Sequence, residues 1–587
     1  MSTADLHSEW ARLLIGVLAR AGIEQAVISP GSRSTPLVVA ALRCAGLKIN
    51  TCYDERSAGY FALGQARITN KPSLLICTSG TAGAHYLPAI VEAHYGRIPL
   101  LALTADRPPE LRERGANQTI DQRQLFGSHV NAWVDIGMPD ADPAALAGLA
   151  RTAYRLVALS RAPVAGPVHV NAPFRKPLEP VSTGGEGALR SLVTGLLGAQ
   201  APELFTGAKE PESGAIERVA EILEKSASGI IVAGPAPIAQ REGFAPALAL
   251  ADRLRFPLLV EAPSQWRFRG AGPLQGRIDG FDTLFQSDLC KQLARADVVV
   301  QLGSTPTSEG LRRYVEECPA SRQINVCAHL WNDAENRAEV LVHSDVSAFV
   351  RGMLAALGPG TGRSGPLFAQ LGAANERVWQ GVGHVLDQHG SALSEGAVAS
   401  VVVSSLPEDS VLVVGNSLAV RQVDVFAPAA SADVDVVCQR GTSGIDGLIS
   451  GAAGAASVGA KVTTLLTGDL SFLHDLNGLA LTRTLTTPLV IVVINNNGGR
   501  IFEHLRVKDS VLTTAQLEQG WIMPHGLALV HAAHLFGLRY RKPDSVGALR
   551  HAVKEAQDHA GATVVEIRVP EHGALADLTA LRNTGGW

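Results

Sequence analysis

The sequence predicts an α/β protein made of three doubly wound parallel-sheet domains in series. Three observations carry this. Short apolar runs alternate with segments of helical periodicity from Gln25 onward, and 587 residues exceed what one hydrophobic core organises. Two stretches rich in turn-forming residues, 178–214 and 358–365, also divide the chain. Apolar residues make up 46% and charged residues 18% of the sequence, with 59 Gly and 32 Pro, as in an ordinary globular protein with many turns.

The first segment, 1–180, opens with an amphipathic helix. Asp5, Glu9, Arg12 and Arg20 interrupt its apolar positions at helical intervals, unlike a signal peptide. The strands expected next are QAVIS, KINTCYD, SLLICTSG, PLLALTAD and PVHVNA, with helices between them. The stretch 178–214 reads as a linker. The middle segment, 181–365, offers GIIVAGPAP, PLLVEAP, DVVVQLG, QINVCAH and VLVHSD; the third, 366–587, offers SVLVVGNS, VDVVCQ, KVTTLLTGD, PLVIVVINNN and ATVVEIRV. The first and third have similar size and strand content, which suits two domains sharing one ligand.

Charge and composition exclude several classes of function. Lys plus Arg total 51 against 55 Asp plus Glu, a net charge of -4, so no basic field exists to hold a nucleic-acid backbone. The seven cysteines contain no CxxC pair and form an odd set, the pattern of reduced, buried thiols. The longest apolar runs, such as 488–494, fall far short of a bilayer span, and a cytoplasmic protein without membrane insertion is expected. A dinucleotide-binding oxidoreductase or sensor would also suit three Rossmann-like domains, but no GxGxxG opens a helix after any strand.

The most informative spacing lies in the third segment. Strand VTTLLT runs into Gly468-Asp469, and the next strand, PLVIVVI, runs into Asn495-Asn496-Asn497-Gly498-Gly499. Each motif alone is a common helix cap or tight turn. Both, however, sit at the carboxyl ends of parallel strands, where open sheets bind ligands, and a helix over 473–485 would return the chain and set Asp469 beside Asn496. Mg²⁺ takes oxygen ligands and few carboxylates, so the Asp469 and Asn496 side chains and the Gly498 carbonyl form an apt set. Gly468 and Gly498 would let backbone approach a diphosphate.

This pair resembles the motif of thiamin-diphosphate-dependent enzymes, with Leu470 where many of them have a third-position glycine. The phrases SPGSRSTPL (29–37), DERSAGYFALG (54–64), TSGTA (78–82), LTADRPPELR (103–112), GANQTIDQ (115–122), GNSLAVR (415–421), RGTSGIDGL (440–448), GDLSFLHDLNGLAL and NNNGGRIF narrow it further. They closely resemble the MenD family, the menaquinone-pathway synthases of 2-succinyl-5-enolpyruvyl-6-hydroxy-3-cyclohexene-1-carboxylate. The middle segment matches that family only in strand pattern, and Glu309-Gly310 stands where basic residues are common, with Arg312 or Arg313 as the expected compensation.

The resemblance implies a pyrimidine-binding, a middle and a diphosphate-binding domain, with thiamin diphosphate and Mg²⁺ (or Mn²⁺) as cofactors. The implied reaction is decarboxylation of 2-oxoglutarate and 1,4-addition of the succinyl carbanion to isochorismate. Glu55 and Gln118 take catalytic roles, Glu55 by sharing a proton with the aminopyrimidine in a site shielded from water. Coenzyme contacts are implied for Thr78, Ser79, Gly80, Ser417, Gly468, Asp469, Leu470, Ser471, Asn496, Gly498 and Gly499, with Ile445 as an apolar wedge and Ile501 and Phe502 as cover. Ser417 and Arg421 would hold the distal carboxylate of 2-oxoglutarate; Ser32, Arg33, Arg107, Asn117 and Gln118 would face isochorismate, with Arg440 a further substrate arginine. His85, His94 and His504 lie near these motifs and are given no role. A homodimer is implied at least, with a homotetramer as the larger option. The alternative, another thiamin-diphosphate-dependent carboligase or 2-oxo-acid decarboxylase, would share Glu55 and Asp469 but not the arginine-rich GSRS, ADRPPE and GNSLxxR phrases.

Overall fold

The structure, a computed structural model, describes residues 3–179, 187–270, 274–318, 321–329, 331–358, 365–429, 432–459, 461–505 and 511–583. Among the described residues eighteen strands form three six-stranded sheets in which every pairing is parallel. The first sheet contains β1 (Gln25–Ile28), β2 (Lys48–Thr51), β3 (Ser73–Cys77), β4 (Leu100–Asp106), β5 (Ala132–Asp135) and β6 (Pro167–Pro173). The second contains β7 (Gly229–Ala233), β8 (Leu258–Val260), β9 (Arg277–Ile278), β10 (Val298–Leu302), β11 (Arg322–Val326) and β12 (Ala338–Val342). The third contains β13 (Ser410–Val414), β14 (Val434–Cys438), β15 (Thr463–Gly468), β16 (Pro488–Asn495), β17 (Arg539–Arg541) and β18 (Gly561–Arg568). The expected strands are present, and three sheets flanked by helices match the expected fold class.

Strand order is β2-β1-β3-β4-β6-β5 in the first sheet and β14-β13-β15-β16-β18-β17 in the third, which is the same topology twice. The middle sheet runs β12-β11-β10-β7-β8-β9. In the first and third sheets the order reverses between the first strand and the strand two later. The crevice there, at the carboxyl ends of the strands, is where such sheets take ligands. The central strands β3, β4 and β6 are buried along their whole length, which explains their continuous apolar runs.

Two compact units emerge. One comprises 1–206 with 439–460 and 474–487; the other comprises 207–438, 461–473 and 488–587. The first unit therefore owns the helix Leu448–Val458, although that helix lies in sequence between two strands of the third sheet. In that unit Leu448–Val458 packs against the helix Glu55–Thr69 through glycines: a Cβ on Gly64 would meet the Gly451 backbone, and one on Gly454 the Phe61 backbone.

Two expectations are corrected. The stretch 178–214 is not simply a linker: Ala188–Gly198 is a helix docked on the helix Thr3–Arg20, whose Arg12 and Arg20 donate to the Arg190 and Ala199 carbonyls at 3.1 and 2.8 Å. Its portion 180–186, like 359–364 of the second turn-rich stretch, lies outside the described residues. The helix expected over 473–485 is broken into Asp469–His474, a turn at Leu476–Gly478 and Leu479–Thr482. The break has a physical cause, because Asp475 turns inward to accept Ser450 N–H at 2.7 Å and Ser450 Oγ–H at 2.9 Å. Its burial pushes that carboxyl up to about 6. In the middle segment Arg312 and Arg313 both pair with the exposed Glu309 carboxylate, at 2.6 and 3.1 Å.

Candidate active site

In the first unit, β2 leads into Asp54 and the helix Glu55–Thr69. Two acidic residues at a helix start pose the question of which one caps it. Asp54 does: its side chain accepts Arg56 N–H at 3.0 Å and Ser57 N–H at 3.3 Å and also takes Asn477 Nδ2 at 2.8 Å. Glu55, one residue on and half-buried, is thereby relieved of capping and available for chemistry.

The reversal point of the first sheet gathers the predicted anion-binding residues. After β1 come Ser32, exposed, and Arg33, buried and donating to the Phe174 carbonyl at 2.6 Å. After β3 come Thr78, Ser79 and Gly80, and after β4 comes Arg107. Arg107 donates to Ser79 Oγ, Ser79 Oγ–H donates to the Gln118 carbonyl at 3.1 Å, and Gln118 Nε2 returns a bond to the Ser79 carbonyl at 3.0 Å. Ser79, Arg107 and Gln118 thus form one interlocked ring, with Gln118 itself exposed and at φ +53°. Burial lowers the pKa of both Arg33 and Arg107, and Arg107 adds repulsion at Arg33, so a bound carboxylate would relieve two crowded cations. Asn117, beside Gln118, is exposed and its carbonyl accepts Thr119 Oγ–H at 3.1 Å.

Sequence reasoning missed the groups that hold this ring. Gln122 accepts Gly80 N–H at 2.9 Å and donates to Asn171 Oδ1 at 3.0 Å, and Asn171 donates to Asp106 at 3.0 Å. Gln122 closes the quoted GANQTIDQ phrase, which was its only signal. Glu92, 1% exposed, was equally hidden. It pairs with Arg67 and accepts Gly441 N–H at 3.0 Å, Thr442 N–H at 2.7 Å and Thr442 Oγ–H at 2.9 Å. Tyr60 donates to Asp446 from the helix that Glu55 opens. The loop carrying Arg440 and Ile445, both half-buried, is therefore pinned at both ends. Burial and the Asp446 carboxylate raise the Tyr60 phenol far above its ordinary range, so it remains a donor.

In the second unit the third sheet supplies the proposed cation ligands. Parallel register pairs Gly468 with Ile494, so Asp469 emerges level with Asn495 and beside Asn496, as the spacing predicted. Asp469 Oδ1 accepts Leu470 N–H at 2.6 Å; Oδ2 accepts Gly498 N–H at 3.0 Å and lies 3.2 Å from His525 Nε2. Leu527 N–H donates to His525 Nδ1 at 3.0 Å, which turns the other ring nitrogen, Nε2, toward Asp469. Ser471 is buried in the turn after Asp469.

The three consecutive asparagines are not equivalent. Each donates its Nδ2 to a different glutamate: Asn495 to Glu566 at 2.7 Å, Asn496 to Glu395 at 2.8 Å and Asn497 to Glu571 at 3.1 Å. Asn495 Oδ1 accepts Asn497 N–H, and Asn497 Oδ1 accepts the N–H groups of His525 and Gly526. Among the described residues no donor reaches Asn496 Oδ1, so its oxygen is the one left for a cation. Burial pushes the Glu395 carboxyl up to about 7, against the pull of its bond from Asn496.

The Gly498 carbonyl accepts Arg500 N–H at 2.9 Å and keeps a second lone pair. Gly498 is required by the protein itself, at φ +131° and against the Ile522 backbone, whereas a Cβ on Gly468 would meet no described atom within 4 Å. The described structure thus accounts for the glycine at 498 and not for the one at 468. One carboxylate, one amide oxygen and one carbonyl fit Mg²⁺ or Mn²⁺. Such a set differs from a cluster of three or more His, Cys, Asp or Glu groups, and no cluster of that kind occurs among the described residues.

Around this turn, buried Arg500 donates to the Asn496 carbonyl at 3.2 Å and pairs with Glu503 and Glu571, a scaffold the sequence did not betray. Ile501 and Phe502 are half-buried in the turn Arg500–His504, and the Phe502 ring lies 3.1 Å from where a Cβ on Gly499 would be. At the end of β13, Ser417 stands at φ +66° and its carbonyl accepts Arg421 at 2.6 Å, one helical turn on. His85 and His504 are exposed, and His94 packs edge-on against Tyr95 and His129.

Comparisons with known proteins bear on the family and the fold. Residues 9–125 match the thiamine pyrophosphate enzyme N-terminal TPP binding domain, and residues 440–567 the C-terminal TPP binding domain. The structure resembles that of benzoylformate decarboxylase from Polynucleobacter necessarius, with TM-score 0.69 over 96% of this chain and 98% of that one at 17% identity, a likeness of fold alone. Curated relatives named 2-succinyl-5-enolpyruvyl-6-hydroxy-3-cyclohexene-1-carboxylate synthase include those of Sorangium cellulosum (40% identical, 99% of this chain and 96% of that protein) and Myxococcus xanthus (35% identical, 100% of both). At that identity over nearly its full length, the chain belongs to the 2-succinyl-5-enolpyruvyl-6-hydroxy-3-cyclohexene-1-carboxylate synthase family of thiamine pyrophosphate enzymes.

Proposed function

We propose that this chain removes CO₂ from 2-oxoglutarate and adds the remaining succinyl unit to isochorismate, using thiamin diphosphate and Mg²⁺ or Mn²⁺. When bound, the coenzyme supplies a thiazolium that accepts the electron pair left as CO₂ departs. Asp469, Asn496 and the Gly498 carbonyl hold the cation, and Gly468, Leu470, Ser471 and Gly499 line the diphosphate. Glu55 holds and returns a proton at its carboxylate. Ile445 would offer the coenzyme an apolar, β-branched contact from a loop pinned by Glu92 and Tyr60. Ser417 and Arg421 bind the distal carboxylate of the donor, while Arg33, Arg107, Asn117 and Gln118 orient the acceptor; Ser32 and Arg440 extend these anion contacts. Phe502 and Ile501 exclude water, which favours carbon transfer over protonation.

The observation that carries this reading is the ring of Ser79, Arg107 and Gln118 at the reversal point of the first sheet, beside Arg33. A simple decarboxylase has no use for an arginine-rich acceptor site. The working form is a homodimer at least, with a homotetramer the larger option, in the cytoplasm. No helix among the described residues is long and apolar enough to cross a membrane. Domain limits at 180 and 365 belong to the same proposal.

The test is incubation with thiamin diphosphate, Mg²⁺, 2-oxoglutarate and isochorismate, read by mass spectrometry. The expected product combines isochorismate with a succinyl unit, and Glu55→Gln abolishes it without unfolding the chain. CO₂ release from pyruvate but not from 2-oxoglutarate would overturn the assignment in favour of another thiamin-diphosphate-dependent carboligase.

A further inference from the structure

The Asn-Glu pairs of the 495–497 turn carry one step beyond the ligand set. An asparagine amide has two ends of similar size and opposite polarity, and only its oxygen binds a cation. Which end faces the site is decided by what binds the other. For Asn495 and Asn497 both ends are consumed inside the protein, so Glu566 and Glu571 serve as staples of the turn. At Asn496 only the nitrogen end is consumed, by Glu395 Oε1 at 2.8 Å, and among the described residues no donor meets the oxygen. Glu395 is 1% exposed and comes from the first turn of the helix Glu395–Ser404, 101 residues away in sequence. A carboxyl group is a costly choice for a buried position that any apolar side chain could fill.

We infer that Glu395 is the positioning residue of the cation site: it holds Asn496 Nδ2 away from the metal and so turns Asn496 Oδ1 toward it. The inference rests on the metal site proposed above. With the amide reversed, two oxygens would face each other at the Glu395 contact whenever that carboxyl is ionised, and an N–H would point at the cation. Outer contacts of this kind are worth about 10- to 100-fold in metal affinity.

The experiment measures Mn²⁺ binding to the full chain with thiamin diphosphate present, by electron paramagnetic resonance of free Mn²⁺, with circular dichroism as the check of folding. Glu395→Met is expected to raise the Mn²⁺ dissociation constant about 10- to 100-fold, and Glu395→Gln, which keeps an acceptor oxygen, by less. The Mg²⁺ concentration giving half-maximal activity rises in step, whereas kcat at saturating Mg²⁺ changes little. Glu395→Gln is the second variant: it is isosteric with the parent, and because its amide can present either end to Asn496, a measurable loss of Mn²⁺ affinity is still expected. That variant decides the matter if Glu395→Met does not fold. Asp469→Asn separates the two readings. If it leaves Mn²⁺ affinity intact, the metal site itself is wrong. If it abolishes binding while Glu395→Met, or Glu395→Gln where Glu395→Met does not fold, binds Mn²⁺ like the parent, only the role of Glu395 is overturned.

Discussion

Replacing Gly454 by alanine tests how the helix that Glu55 opens is held. In an exposed helix interior this change stabilises by about 1 kcal/mol, because alanine restricts the unfolded backbone. Here the new Cβ would lie 2.8 Å from the carbonyl carbon of Phe61 and nearer still to its oxygen. Carbon atoms pack best at about 3.5 to 4.0 Å, so the helices Glu55–Thr69 and Leu448–Val458 must part by about 0.7 Å or more. The obstacle is backbone, which cannot rotate aside, and overpacking of this kind costs about 3 kcal/mol at the upper end of the usual range. The net expectation is a loss of about 2 kcal/mol after subtracting the helix gain. Gly148, in the helix Pro143–Arg161 of the same unit, is the control, since a Cβ there meets no described atom within 4 Å. Urea unfolding should therefore move in opposite directions, Gly148→Ala up and Gly454→Ala down. Because the displaced helix begins at Glu55, specific activity should also fall, by up to about 10²-fold for a shift near 1 Å. Gly454→Ala as stable as Gly148→Ala, with full activity, would refute the close-packing argument.

Other perturbations follow from single contacts. Glu92→Ala removes a carboxylate partner of half-buried Arg67 and strips the acceptor from Gly441 and Thr442, so urea unfolding should register a loss of about 1 to 3 kcal/mol, with activity lost as the Ile445 loop loosens. Asp54→Ala should cost about 1 kcal/mol in the same assay, the usual worth of a helix cap. Burial holds the His169 imidazole down at about 4 in the folded chain against 6.5 unfolded, so the unfolded chain protonates first as pH falls. Its contribution is whole above pH 6.5 and declines through pH 4 by about 3 kcal/mol, at 1.36 kcal/mol per pH unit. His169→Gln should flatten that part of a stability-against-pH curve. Arg312→Ala, which removes a half-exposed partner of Glu309, should change stability by less than about 0.5 kcal/mol.

What was legible in the sequence was whatever acts locally. Buried parallel strands announce themselves as runs such as PLVIVVI, and Asp469 and Asn496 follow two of them directly, so pairing Gly468 with Ile494 was enough to bring them together. Short edge strands such as Ala132–Asp135 and Arg539–Arg541 carry no such run and were not foreseen. The broken helix after Asp469 failed for a related reason: its apolar periodicity is real, but Asp475 finds a buried partner in Ser450, 25 residues back, and tertiary bonding overrides the pattern.

The same distance argument explains why the ligands could be read and their supports could not. A ligand must sit at a strand end, and strand ends are marked by composition. Glu395, Glu566 and Glu571 lie 71 to 101 residues from the asparagines they hold, and nothing in their own surroundings distinguishes them from other glutamates. The sequence could therefore nominate the Asn-Asn-Asn turn but could say little about why the central residue is the one to bind a cation. That choice is made by the oxygen ends: two are spent on backbone N–H groups, and the third is left over because the helix Glu395–Ser404 delivers an acceptor to its nitrogen alone.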